Sequence, residues 1–362
     1  MSSPHLAFAR PKTPASKCFH LMRLQPLTTR SELVEVTGLS QPTVTRAVTA
    51  LINAGLVVER NDLTQSQGRG RPTIPLELAD SPGVYAGIAV GTSVTYIGLF
   101  DAHGRTVRDV EVATPMARLR AEDFIEHVMA GLNRLSAGLE RPLASVGVTF
   151  PGAVSADGVV NAPSLGWDDV DIAGRLRFQF SVPVTVSAAV PAIIGSELQN
   201  AEVDFTQDPP AIMSLFADDS VGAAITAGEH ITAINGMPHD VSSLPTAALL
   251  AAAGKQGVHA QSLQELVASS APAVRQLLNE RAQLLGHVTA TLVSEYRPAT
   301  VVVAGSAFVD DPQAPRLFAQ TVRGALPAGV DVELRLIPSH HEIVRAIARA
   351  IALDHLLREP LG

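Results

Sequence analysis

The sequence predicts an α/β protein with a small helical head, and three observations carry that expectation. From residue 84 onward, strand-like and helix-like stretches alternate, as layered α/β domains require. The first eighty residues break the pattern with three helix signals and a two-stranded hairpin. The length of 362 residues leaves room for two or three domains, each with its own core.

Composition narrows the classes. Hydrophobic residues make up 46% and charged residues 17%, a globular balance. Aromatics, at 4%, are too few for a platform that stacks single-stranded bases. A single cysteine, Cys18, excludes a disulfide framework and any multi-cysteine zinc site; it reads as a small apolar filler. No apolar run approaches the ~18 residues of a membrane span, and the N-terminus lacks a secretory core, so the cytoplasm is the expected compartment. The net charge of −8 is unevenly spread. Residues 1–80 hold nine Lys/Arg against six acids, a surplus of +3, which leaves −11 on the remainder. That split suits a phosphate-facing module on an acidic body.

The elements of the head follow in order. Ala15 to Gln25 has helical spacing, with Pro26 as its stop. Thr29-x-x-Glu32 is a capping box that opens a second helix, and Gly38 closes it. Ser40 is placed to cap a third helix, with Pro42 in its first turn and Gly55 at its end. Val44, Val48, Leu51 and Ile52 form its inward stripe. The second and third helices, with a Gly-containing turn between them, make a helix-turn-helix. Gln41, Thr43, Thr45, Arg46 and Thr49 are left facing outward, a set suited to base edges and phosphates in a major groove. No acid occurs from Ser40 to Gly55.

Leu56–Val58 and Thr73–Leu78 pair as a hairpin around Gly68-Arg69-Gly70-Arg71-Pro72. This predicts a wing whose Arg69 and Arg71 enter a narrow minor groove. The plainer alternatives are a three-helix bundle with a solvated face and a linker whose arginines only keep it soluble.

In the body, strands are predicted at 84–90, 95–100, 107–112, 145–150, 182–186, 211–216, 223–226, 301–306 and near 332–337. Helices are predicted at 121–138, 190–200, 246–255, 262–268, 273–296 and 340–357, the last entered by the capping box Ser339-x-x-Glu342.

Taken in order, the winged head with GRGRP and then GIAVGTSVTYIGLFDAHGRTV, VGVTFPGAV, NAPSLGW, VPVTVSAAVPAIIGSE and TVVVAGS resemble the ROK family of repressors and sugar kinases. The resemblance spans essentially the whole chain. It implies a winged helix-turn-helix over 1–80, then an actin/hexokinase-like fold with one lobe at 81–200 and a second at 201–362. The last helix is expected to pack back on the first lobe. A homodimer or tetramer is implied as well.

The same resemblance locates the chemistry, and the residues there are unsuited to it. The phosphate loop G-x-D-x-G-G-T of ROK kinases corresponds to Gly87–Ser93, with Ala89 at the Mg²⁺-organising acid and Thr92 at a loop glycine. The nucleotide turn G-T-G-x-G corresponds to Asp218-Asp219-Ser220-Val221-Gly222, where two carboxylates would repel a triphosphate. The Asn-Asp pair corresponds to Ser187-Ala188, and alanine cannot act as a general base. The zinc segment G-E-x-G-H corresponds to His239-Asp240-Val241-Ser242-Ser243, with no cysteine following. No catalytic residue, metal or cofactor is therefore assigned, and His239, His340 and His341 read as ordinary surface histidines. A ligand cleft is expected to persist, with Asn161, Trp167, Asp168, Ser187 and Asp240 as candidate lining; the plain alternative for Trp167 is the core.

The reading at this stage is a DNA-binding transcriptional regulator, with repression as the expected sign. Its expected partners are an inverted-repeat duplex operator, a second copy of itself and a small-molecule effector of open identity, with no membrane. Two alternatives stay open: a sugar kinase with a fused DNA-binding head, and a DNA-binding or interaction protein that senses no ligand.

Overall fold

The computed structural model describes residues 7–64, 73–80, 83–114 and 119–362. The head consists of α1 (Pro14–Leu24), α2 (Arg30–Thr37), α3 (Gln41–Asn53), β1 (Val57–Glu59) and β2 (Leu76–Leu78). Thr13 caps α1, and the capping box of α2 is complete, with Thr29 accepting from the Glu32 N–H and Glu32 accepting from the Thr29 N–H at 2.7 Å. Gly38 takes φ +67° to end α2, a conformation glycine enters without a Cβ clash. At α3 the sequence expectation needs correcting. Ser40 is the capping residue, but its hydroxyl pairs with Thr43 Oγ1 at 2.9 Å and leaves the free N–H groups of the first turn uncapped.

Val44, Ala47, Val48 and Leu51 of α3 pack inward with Cys18, Phe19 and Met22 of α1 and Leu33 of α2. Burying each such aliphatic side chain contributes about 1.5–3 kcal/mol to holding the three helices together. β1 and β2 pair antiparallel, Val57 opposite Leu78, and Thr28 bridges to Leu76 to tie the hairpin under α2.

The body follows as β3 (Val84–Val90), β4 (Val94–Phe100), β5 (Thr106–Ala113), α4 (Ala121–Ser136), β6 (Leu143–Phe150), β7 (Ala153–Val154), β8 (Val159–Ala162), β9 (Trp167–Asp171), α5 (Ile172–Gln179), β10 (Val184–Ala188) and α6 (Ala189–Asn200). It continues with β11 (Ile212–Ala217), β12 (Val221–Ala227), β13 (His230–Ala233), α7 (Thr246–Lys255), α8 (Leu263–Ala268), α9 (Pro272–Tyr296), β14 (Thr300–Ala304), α10 (Ser306–Val309), α11 (Ala314–Ala325), β15 (Glu333–Leu336) and α12 (His340–Arg358).

The chain divides into two compact units, and two of the four boundaries between them fall inside helices, after Ile194 in α6 and after Ala346 in α12. One unit comprises Met1–Ala188, Gly195–Pro209 and Ile347–Gly362; the other comprises Ala189–Ile194 and Pro210–Ala346. The sheet of the first runs β10-β6-β3-β4-β5 and that of the second β13-β12-β11-β14-β15. The two orders are the same plan. In each, the first strand is central, the next two return antiparallel on one side, and two later strands lie parallel on the other.

β3 is buried along its whole length, as a strand covered on both faces must be. One face carries α4 through Phe124, Ile125 and Val128. The other receives α12 at backbone contact. Gly87 and Gly147 stand side by side on β3 and β6, and a Cβ on either would lie 1.9 Å from Ala348 O or 2.2 Å from Ile351 O. Only glycine allows that approach. Ser145 Oγ donates to Ala352 O at 3.0 Å on the same face. A three-stranded sheet, β7-β8-β9, extends this unit beyond β6. In the second unit, α9 and α11 cover the sheet through Leu285, Val288, Leu292, Phe318 and Val322.

Candidate nucleic-acid interface

α3 presents the outward row that its spacing calls for. Gln41, Thr45, Arg46 and Thr49 are exposed, and Thr43 is half-buried. Two details refine their chemistry. Thr45 Oγ1 donates to Gln41 O at 2.9 Å, and Thr49 Oγ1 donates to Thr45 O at 2.8 Å. With their protons committed to the helix, both hydroxyls can only accept from outside. In a major groove, such hydroxyls fit the exocyclic amino groups of adenine or cytosine, and their γ-methyls fit the thymine methyl.

Arg46 differs from its neighbours. Among the described residues it has no hydrogen-bond or ion-pair partner. By contrast Arg30 pairs with Glu59 at 2.6 Å, and Arg60 is held by Asp62 and Glu77. Those two arginines stitch α2 and the hairpin together; Arg46 projects its full charge from an acid-free helix. Arg69 and Arg71, expected at the wing tip, lie outside the described residues. Cys18 is fully buried, and burial pushes its thiol up to about 11, so it packs and does not react.

The candidate ligand residues are divided between the two units. In the first unit, Asn161 Nδ2 donates to Asp168 Oδ1 at 3.0 Å across the turn between β8 and β9. Trp167 was a candidate for that lining, but its ring is buried against Phe124 and Phe150, with centroids 5.4 and 5.6 Å away, and Nε1 donates to Leu119 O. This is a core position, with the ring edge-to-face on Phe124 and tilted at 45° to Phe150. Ser187 is buried, its Oγ directed to Ala188 O at 3.3 Å. Asp240 belongs to the second unit, where it is exposed and accepts from the Ser242 N–H at 2.9 Å.

Comparison with known proteins gives this geometry a context. Residues 85–212 match the ROK family. A transcriptional regulator of Mycobacterium tuberculosis is 30% identical over 385 residues, covering 96% of this chain and 86% of that protein. The chain belongs to the ROK family. Among solved structures, a ROK family transcriptional regulator, homolog of the E. coli MLC protein, superposes with a TM-score of 0.77 at 16% identity, covering 95% of this chain and 96% of that one. A ROK family glucokinase from Streptomyces griseus, in complex with glucose and AMPPNP, gives 0.60 at 18% identity, covering 75% of this chain and 99% of the kinase. The fold is therefore the two-lobed ROK body, here preceded by the helical head.

Within that body, the positions expected to carry ROK kinase chemistry have other contents. Ala89 is buried on β3 and brings no oxygen to a metal. Ala188 is the capping residue of α6 and offers it no side-chain hydrogen bond. Asp218 is held within the protein: Ser306 Oγ donates to its Oδ1 at 2.6 Å, and burial holds its carboxyl above the usual range. His239 sits at φ +74° with Nε2 3.2 Å from Thr291 Oγ1, and the described residues bring no group of three or more His, Cys, Asp or Glu together for a metal. The residues present therefore fit neither a zinc ion nor a Mg²⁺-nucleotide. No helix among the described residues is long and apolar enough to cross a membrane.

Sequence reasoning missed the residues that carry the head. Phe205, Ala201 and Gln199 contact α1 from more than 170 positions away, and no local pattern signals such a contact.

Proposed function

We propose that this protein is a DNA-binding transcriptional regulator in which α3 reads the major groove of a duplex operator. The observation that carries the reading is Arg46, an exposed cation with no partner among the described residues, on an acid-free helix and flanked by Gln41, Thr45 and Thr49. Thr43, at the start of the helix, reads the major groove with them. Arg69 and Arg71 enter the adjacent minor groove. Two heads in a homodimer or a tetramer meet an inverted repeat, so residues 1–80 are the reading domain and the ROK lobes the assembly domain. The sign of regulation is repression: an oligomer seated on a promoter excludes polymerase. The protein works in the cytoplasm, where its operator is.

The ROK body does not transfer phosphoryl groups. Catalysis of that step needs an acid for the metal, a base for the hydroxyl and a backbone cradle for the phosphates. Ala89, Ala188 and the Asp218-Asp219 turn supply none of the three. The place for a small-molecule effector is the first unit, around the Asn161–Asp168 pair. An effector acts by binding one conformation of the protein more tightly than another.

Mapping bound DNA across the genome tests the reading directly: a common inverted repeat upstream of a limited set of genes supports it. A reporter from such a promoter should rise when the gene is deleted; a fall would make the protein an activator. A coupled ADP-release assay across hexoses with Mg²⁺ addresses the body, and turnover above a no-sugar control would make it a kinase.

A further inference from the structure

The loop that follows α6 is built as a rigid ridge. The Asp204 carboxylate accepts from Thr206 N at 2.8 Å, Thr206 Oγ1 at 2.6 Å and Gln207 Nε2 at 2.9 Å, which together hold it below the usual carboxylate range. Gln207 N also donates to Asp204 O. A surface loop with so many internal bonds has one shape before anything touches it.

That ridge carries the head. The Phe205 ring lies under two cations, Arg10 at 5.4 Å and Lys17 at 5.3 Å from its centroid, and His20 meets it edge-on at 6.1 Å and 84°. The Arg10 guanidinium also donates to Asp204 O at 3.0 Å and to Gln207 O at 3.3 Å. Thr206 Cγ2 reaches Gly38, the residue that opens the turn between α2 and α3; a Cβ there would lie 3.2 Å from it.

Just upstream, the free carbonyls at the end of α6 are taken by α1. His20 Nε2 lies 3.3 Å from Ala201 O, and Arg23 donates to Gln199 O. A cation at a helix C-terminus is favoured by the helix dipole as well as by the bond itself. The segment 199–207 therefore touches the N-terminal arm, α1 and the helix-turn-helix turn at once. All of these contacts lie within one compact unit.

We infer that this ridge is a saddle fixing the angle at which the reading helix leaves the body, and that Phe205 thereby sets the half-site spacing that a dimer accepts. The inference rests on the DNA-reading function proposed above. Its physical basis is geometric. Each added base pair moves one half-site about 3.4 Å along the duplex and turns it by about 35°. A head gripped at three points cannot follow that rotation, whereas a head hanging on a loosened joint can. Phe205 is a positioning residue: it touches no DNA.

The test uses full-length protein and a series of synthetic inverted repeats whose spacers differ by single base pairs, read by fluorescence anisotropy. Wild type should prefer one spacer by roughly tenfold or more over its neighbours, on the estimate that each poorly met base position weakens binding by about this factor. Phe205→Ala should flatten the profile to within about threefold, while binding to a single half-site stays at the wild-type level. An unchanged spacer profile in a folded Phe205→Ala protein overturns the inference. If that variant does not fold, the double substitution Arg10→Gln and Lys17→Gln, which keeps the ring, is read the same way. If wild type binds no duplex at all, the proposed function fails but the saddle is still tested. Amide exchange across α1–α3 should then speed up in Phe205→Ala, and unchanged exchange rejects it.

Discussion

Replacing Arg46 by alanine separates a DNA-reading side chain from a structural one, because no described residue bonds to the Arg46 guanidinium. It is exposed on α3 and has no partner among the described residues. Alanine is at least as good a helix former, so the folded protein should change by no more than about 0.5 kcal/mol. That corresponds to about 1–2 °C in the melting temperature of a domain of this size. DNA binding should respond very differently. An arginine contact to a base or phosphate is worth about 1–3 kcal/mol, and a dimer loses two. The expected loss is therefore about 2–6 kcal/mol, at least about 30-fold in Kd.

Anisotropy at several salt concentrations then identifies the contact. Loss of a phosphate contact weakens all sequences alike and lowers the salt slope by about one per arginine. Loss of a base contact relaxes selectivity at one position and leaves the slope nearly unchanged. Binding within twofold of wild type would refute the role given to Arg46. So would a loss matched by a large drop in melting temperature, which would make the residue structural.

Three further outcomes follow from the same structure. Gly147→Ala should destabilise the first unit by on the order of 3 kcal/mol or more, because the new Cβ would sit 2.2 Å from the Ile351 carbonyl oxygen of α12; a wild-type midpoint in urea would show that α12 does not lie where it is described. Thr29→Ala should cost the head about 1 kcal/mol by removing half of the capping box, checked by the same titration against Ser31→Ala as a control. His20 supplies a pH dependence. Burial first, then the neighbouring charges of Arg23 and Arg10, lower its pKa from 6.5 to about 4, against the opposing pull of the Ala201 carbonyl. The folded value lies below the unfolded one, so this stabilisation is complete above about pH 6.5 and is lost as pH falls toward 4. Relative to His20→Gln, wild type should lose on the order of 3 kcal/mol across that window; parallel stability profiles for the two proteins would contradict it.

Much of this architecture is legible in the sequence where a local rule is strong. The Thr29-x-x-Glu32 box, the αL glycine at 38 and the 44-48-51 stripe each fix a feature of the head within a few residues. Buried parallel strands such as Val301–Ala304 are continuous apolar runs and equally plain. The small sheet β7-β8-β9 has no such signal. Its last strand, Trp167–Asp171, is mostly aspartate, a residue depleted in strands, and it forms because Trp167 and Val170 are drawn into a core made by distant segments. α11 begins with Ala-Pro and directly follows a turn, yet burial of Phe318 and Val322 against α9 makes it a helix.

The site divides in the same way. The outward row on α3 follows from helical period alone. What the side chains do there, with Thr45 and Thr49 donating their protons to the helix, depends on rotamers that helical period does not set. Trp167 shows the limit from the other side: a lone tryptophan beside a predicted cleft is a natural ligand candidate, and only the three-ring cluster with Phe124 and Phe150 shows that the core has claimed it.

The central claim, that a cationic reading helix on this ROK body recognises duplex DNA by sequence, is tested most directly by selection from a random duplex library. Purified full-length protein at about physiological salt, where the Debye length is about 8 Å and weak nonspecific attraction is screened, is mixed with the library, and the bound fragments are sequenced. Enrichment of an inverted repeat, abolished by Arg46→Ala in the same selection, is the expected result. Recovery of fragments with no common sequence, by a protein shown to be folded, would contradict it.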